Sequence, residues 1–230
     1  MAVCNRFRAT YSRTSIEEQF QAWDEIENTP RFNVAPTQPI LTVRSESGKR
    51  KVTEMRWGLI PSWASGVTFS NFNARSESVT TTPSFRDLIK TNRCLIPADA
   101  FYEWQKIGGV KQPFAFEVGD KELFAFAGLW DEWIDPQRRL VKSCTILTTE
   151  ANSLVAEMHD RMPVIVPREA YELWLDPDSS LQEVLALLKP FDSSSMHKYP
   201  VSTTLNNSQN QGPEVATKTE IKAPAQGALF

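Results

Sequence analysis

Apolar and polar positions along the chain follow two periods, and the places where one gives way to the other mark the elements. Over residues 15–23, Ile16, Phe20 and Trp23 recur at helical spacing, while Ser15 and Glu18 stand in capping-box order, which predicts a first helix opening at Ser15. A second helix is predicted from Pro83, with Phe85, Leu88 and Ile89 apolar. A third starts at Pro167 and carries Ala170, Tyr171 and Trp174, and a fourth covers 180–188 and stops at Pro190. Short β-branched or aromatic runs at 40–43, 51–57, 114–118, 123–130 and 143–148 read as strands. Strands outnumber helices and cluster centrally, so the expected fold class is α+β: an antiparallel, barrel-like β core with flanking helices in a single domain. Lys49, Arg50 and Lys51 read as a solvated hairpin turn, and Trp57 as a core side chain. Beyond Val201 the composition shifts to Asn, Gln, Ser, Thr and Gly, giving an expected domain over 1–212 and a loosely ordered C-terminal tail over 213–230.

At 230 residues, 41% of them hydrophobic, the chain is long enough to bury a sizeable core. Lys and Arg total 25 against 28 Asp and Glu, a net charge of −3, which excludes a polybasic binder and confines any nucleic-acid contact to a local patch. No apolar run approaches the roughly 18 to 20 residues of a membrane span, and no signal-peptide core opens the chain, so a cytoplasmic protein with no membrane partner is expected. The three cysteines, Cys4, Cys94 and Cys144, are widely spaced and form no CxxC pair, which argues against a disulfide framework and a zinc site. With two histidines the metal-ligand inventory is thin, and no cofactor is expected. Cys94 and Cys144 stand in apolar stretches and read as inert buried thiols.

Five segments place polar or aromatic side chains where packing explains them poorly: 31–37 (RFNVAPT), 56–63 (RWGLIPSW), 73–77 (NARSE), 98–104 (ADAFYEW) and 158–163 (MHDRMP). Each has a plain structural reading. His159 alone reads as a satisfied structural histidine, Glu103 as a surface carboxylate at a strand edge, and each arginine as a salt-bridge partner. Asn33 bonds either the backbone or a ligand, and Pro36 fixes the turn of a site wall. Trp63, after Pro61 and Ser62, is a loop-borne aromatic suited to stacking on bases. Taken alone, these residues reach a candidate Cys/His/Glu/Asn site and no further.

Joined in order to Cys4, Asn5, Arg6 and Phe7 at one end, and to Pro200-Val201-Ser202 and Asn210-Gln211-Gly212 at the other, the segments resemble the SOS-response-associated peptidase (SRAP) family. Its members crosslink to abasic sites in single-stranded DNA. The resemblance implies a nucleophilic cysteine that stands first once Met is removed: its α-amine forms a Schiff base with the ring-opened sugar, and its thiol closes a thiazolidine. Here Met1-Ala2-Val3 precede Cys4. Either translation starts at the codon now read as Val3, or an extension is trimmed. Asn5 stands where the family has glycine, a mild change because Asn tolerates positive φ. Carried over by motif, the catalytic set is Cys4, Asn73, Glu103 and His159: Asn73 positions the sugar or amine, Glu103 is general acid/base, and His159 protonates the sugar oxygen. The expected DNA contacts are Arg6, Asn33, Pro36, Trp63, Arg75 and Arg161. The implied partner is single-stranded DNA containing abasic sites, bound by a monomer that associates with the nucleoid on damage. Two rivals use the same residues differently: a thiol peptidase or N-terminal-nucleophile amidohydrolase, whose self-directed form would expose Cys4, and a noncovalent single-strand-binding module.

Overall fold

Strand pairing divides the chain between a closed barrel and a second, open sheet. The computed structural model describes residues 4–23, 26 and 28–221. The barrel ring runs β3 (Pro39–Glu46), β4 (Lys49–Trp57), β10 (Leu140–Glu150), β9 (Phe124–Ile134), β6 (Arg93–Ala98) and back to β3. Four of its five pairings are antiparallel, and β4 closes on β10 in parallel, with Ser143 opposite Arg56 and Cys144 opposite Trp57. Closure leaves the five strands no free edge within the ring. Gly128 on β9 permits it, since a Cβ there would lie 2.9 Å from Cys94 Sγ and 3.1 Å from the Thr145 carbonyl oxygen. Three short strands extend the barrel: β5 (Asn73–Arg75) and β11 (Arg161–Pro163) on β10, and β12 (Ile165–Val166) on β9. The α+β class with a barrel-like core is as the sequence predicts.

The second sheet is antiparallel throughout, in the order β13 (Met196–Pro200), β8 (Val110–Val118), β7 (Ala100–Ile107), β1 (Phe7–Ala9), β2 (Arg31–Val34). One face packs on the barrel through aromatic rings: Phe7 lies 5.3 Å from Trp57 and 5.7 Å from Phe126, and Phe101 lies 6.3 Å from Phe126. The other face, carrying Tyr102 and Ala115, is covered by Val201, Leu205 and Val215. Buried polar side chains pin that C-terminal strap. Asn33 Nδ2 donates to the carbonyls of Leu205, Asn207 and Asn210 at 2.9 to 3.2 Å, and Gln112 Nε2 donates to that of Val201 at 2.8 Å.

Several expectations need correction. The first helix, α1 (Arg13–Phe20), starts a turn early because the Ser12 hydroxyl, not that of Ser15, caps it by accepting the Ser15 N–H. Gln21 adopts a left-handed conformation and ends it, so Trp23 lies outside the helix and is 65% exposed. The helix expected from Pro83 is reduced to one turn, α2 (Leu88–Thr91), after a series of turns. The other two are α3 (Tyr171–Leu175), which follows a 3-10 turn after Pro167, and α4 (Leu181–Ala186). The basic run opens β4 instead of forming the turn, which Ser47 and Gly48 make; Lys49 and Lys51 are exposed as expected, while Arg50, its side chain 18% exposed, donates to the Phe20 carbonyl and pairs with Glu172. Ordered packing passes the expected boundary at 212, since Val215 is fully buried and Thr219 donates to the Pro200 carbonyl. Residues 222–230 of the expected tail lie outside the described residues. Among the described residues no helix is long and apolar enough to cross a membrane.

Candidate active site

The register of β1 on β7 sets the first half of the site. Phe7 stands opposite Phe101 and the Tyr102 N–H bonds the Arg6 carbonyl, so continuing the pairing brings the residues before Phe7 alongside Glu103. There the main-chain nitrogen of Cys4 donates to Glu103 Oε1 at 2.8 Å. Cys4 is fully buried and holds a left-handed backbone at φ 45, rare for a residue with a Cβ. Glu103 is 4% exposed. Burial pushes its carboxyl up to about 7, against the opposing pull of the Cys4 N–H, the Lys111 charge and the Trp104 N–H. Burial, and then the Glu103 charge, push the Cys4 thiol well above its ordinary value, so it is held as the thiol at neutral pH.

The second half is built on β10. Asn73 and Arg75 lie on β5 beside Ile146 and Thr148, and β11 runs along the opposite side of β10, with Arg161 across from Glu150. Arg161 ties the two flanks together: its guanidinium grips both carboxylate oxygens of Glu77, two residues past β5, and donates to the Thr148 carbonyl at 2.7 Å. The hydrogen bonds from Arg161 hold the Glu77 carboxyl below its usual range. The Arg161 main-chain N–H donates to His159 Nδ1 at 3.1 Å, and the His159 N–H donates to the Val155 carbonyl at 3.0 Å. Trp57 touches both groups of residues: its ring packs on Phe7, and its indole N–H donates to the carbonyl of Phe72, the residue before Asn73.

The residues expected to touch DNA divide by exposure. Arg75 is exposed and Trp63 is 58% exposed. The Trp63 loop is pinned on both sides: the Ser62 N–H bonds Asp131 Oδ2 at 2.7 Å, the Ile60 N–H bonds Ser143 Oγ at 2.8 Å, and the Trp133 indole bonds the Ala64 carbonyl at 2.7 Å. Pro36 stands in a turn docked on Trp57 through Thr37, whose N–H reaches the Trp57 carbonyl at 2.8 Å. Arg6, Asn33 and Arg161 are engaged within the fold, Arg6 donating to Asn33 Oδ1 at 3.0 Å and to the Leu205 carbonyl at 3.2 Å. Surface hollows of about 920, 1050 and 500 Å³ lie elsewhere, none of them lined by Cys4, Asn73, Glu103 or His159.

Residues 3–208 match the model of the SOS response associated peptidase (SRAP) family. The chain belongs to this family. It is 40% identical over 220 residues to the abasic site processing protein YoqW of Bacillus subtilis, covering 93% of this chain and 98% of that protein. It is 33% identical over 232 residues to the abasic site processing protein HMCES of Gallus gallus, covering 86% of this chain and 68% of that one. The crystal structure of a protein from Bacteroides thetaiotaomicron superposes with a TM-score of 0.86 at 27% identity, over 94% of this chain and all of that one.

Sequence reasoning missed the supports beneath these SRAP residues. A buried network joins Arg8 to Asp99 and Glu117, and Glu117 also takes the Tyr199 hydroxyl at 2.6 Å and pairs with His197 at 2.9 Å. It fastens β1 to the residue before β7, to β8 and to β13, in the sheet that presents Cys4. Its members stand 80 or more residues from those they bind, so no local pattern could find them. Glu77 was legible within the NARSE segment, but its partner Arg161 lies 84 residues away.

Proposed function

We propose that this chain processes abasic sites in single-stranded DNA by capturing them on Cys4 as a thiazolidine. The observation that carries the reading is the 2.8 Å contact between the Cys4 nitrogen and a buried carboxyl titrating near neutrality. The names of the relatives support the substrate. Cys4 must first become an α-amine. When water cleaves the bond to residue 3, the leaving nitrogen needs a proton, and protonated Glu103 is in contact with it. A free α-amine, with a pKa of about 7.7 to 8.0, is partly neutral at cellular pH and attacks the sugar aldehyde. The carbinolamine then loses water to give the imine, and Glu103 supplies the proton that leaves with the hydroxyl. Finally the Cys4 sulfur adds to the imine carbon, the thiol proton ends on nitrogen, and a five-membered ring closes. Amine and thiol sit on one residue, so closure profits from high effective concentration.

His159 protonates the ring oxygen to open the sugar, and Asn73 on β5 orients it. Arg75 and Trp63, the exposed members of the set, hold a phosphate and stack on a base. Arg6, Asn33 and Arg161 act as braces of the site wall.

Denaturing gels of the chain beginning at Cys4, mixed with uracil-containing single-stranded DNA, test the reading. A shifted band should appear only after uracil-DNA glycosylase treatment and vanish with Cys4→Ala. A band that persists in Cys4→Ala, or that forms without the glycosylase, overturns it.

A further inference from the structure

One ring nitrogen in the site has two partners that require opposite protonation. His159 Nδ1 accepts the Arg161 main-chain N–H at 3.1 Å, which it can do only when Nδ1 carries no proton. The same Nδ1 lies 2.8 Å from Asp160 Oδ1, a contact that is a hydrogen bond only when Nδ1 carries one. The ring is 14% exposed and the Asp160 side chain 87% exposed, so the carboxylate stands at the solvent side of a largely enclosed imidazole. Among the described residues nothing bonds Nε2. A neutral ring accepting from Arg161 holds its proton on Nε2, and a doubly protonated ring, with Nδ1–H on Asp160, also presents Nε2–H. Both arrangements leave His159 a donor at Nε2.

From this shared nitrogen we propose that Asp160 is a positioning residue for sugar opening, taking the Nδ1–H of His159 as Nε2–H is spent. The proposal rests on the role given to His159 above. In balanced form, the neutral ring first takes a proton from solvent at Nδ1, against Asp160; the Nε2 proton then passes to the sugar ring oxygen, and the C1′–O4′ bond breaks with its electron pair going to O4′. The 1′-hydroxyl oxygen closes the C=O bond and sheds its proton to water. The imidazole is left with a single proton on Nδ1, held by Asp160, and recovers its starting form by taking a proton at Nε2 from water and returning the Nδ1 proton to solvent. Nothing is oxidised or reduced. Arg161 and Asp160 act at opposite ends of this cycle: the main-chain N–H fits the ring before it is charged, and the carboxylate fits it during and after transfer. Because Asp160 is exposed, its effect is modest, about two- to fivefold in rate.

The test compares two oligonucleotides under single-turnover conditions, one carrying a natural abasic site, whose sugar is largely a closed ring, and one carrying an acyclic aldehyde with no ring oxygen. Asp160→Asn should slow crosslinking of the closed sugar about two- to fivefold and leave the acyclic aldehyde at the wild-type rate. Asp160→Glu should restore part of the loss. Asp160→Asn placed on His159→Ala should cost nothing further. Equal slowing of both substrates, or a loss that adds to that of His159→Ala, overturns the proposal. If His159→Ala separates the two substrates and Asp160→Asn does not, the Asp160 role alone fails. If His159→Ala treats both alike, the reading of His159 falls and the Asp160 role with it. An unchanged unfolding midpoint for Asp160→Asn confirms that rates, not folding, are being read.

Discussion

Glu103 is where burial and chemistry meet most directly, and it makes stability depend on pH with a definite sign. Its folded carboxyl, at about 7, lies above the ordinary 4.5, so between those values the folded chain holds a proton that the unfolded chain has released. The contribution of Glu103 to stability is therefore greatest below about 4.5 and falls as pH rises toward 7, by about 3 kcal/mol at the upper limit. Urea titrations of the full chain across this window should record the fall, and Glu103→Gln should flatten it; an unchanged slope in the variant would assign the dependence to other groups. In crosslinking, Glu103→Gln and His159→Ala should each cost about 100- to 10,000-fold in rate while still yielding product on long incubation, because a held aminothiol and aldehyde react unaided. Wild-type single-turnover rates for both would remove the acid/base roles. Cys94 and Cys144 are fully buried with thiols raised by desolvation, and changing either to Ala should leave the adduct intact.

Elements differ in how far the sequence discloses them, and the reason is which faces they bury. β4 and β10 are legible because their cores, 51–57 and 143–148, carry short β-branched or aromatic runs. β7 is not: Ala100, Phe101, Tyr102 and Glu103 are buried one after another, so the period-two signal disappears and the segment is absent from the predicted strands. Helical spacing misleads in the opposite sense at Trp23, where the pattern continues past Gln21 although the backbone has already left the helix. The motif residues of the site were legible, but the strap that backs the second sheet was not, because Asn33 reaches its partners across 172 to 177 residues of chain. Asn33→Ala removes the donor that these carbonyls share in a buried place and should cost about 1 to 3 kcal/mol in urea unfolding. A change below about 0.5 kcal/mol would mean that water replaces the amide without penalty. The Trp63 loop depends on a different device. Gly58 has φ 128, a backbone that side chains rarely adopt, and a Cβ there would also crowd Ser70 Oγ at 2.5 Å and Arg56 Nη1 at 2.6 Å, so any other residue is strained where the loop leaves β4.

For the whole molecule the net charge of −3 is the governing number, since it leaves DNA binding to a few placed cations rather than to the overall field. Arg75→Ala should weaken capture of abasic single strands and reduce the salt slope by about 0.7, one phosphate contact's worth. Changing Lys49 and Lys51 together should do little: they flank Arg50 at the start of β4, and Lys51 is already paired with Glu46 at 3.1 Å. Equal losses from the two changes would put the DNA path on the wrong face. The central claim, that the nitrogen and sulfur of Cys4 both end bonded to one sugar carbon, is tested most directly by mass spectrometry of the purified adduct after nuclease digestion, with and without borohydride. The account predicts a mass equal to the Cys4-first chain plus the sugar remnant less one water, located on Cys4, unchanged by borohydride, with no free thiol at that residue. An adduct that gains two hydrogens on borohydride treatment and leaves the Cys4 thiol open to alkylation would be a plain Schiff base, and would contradict it.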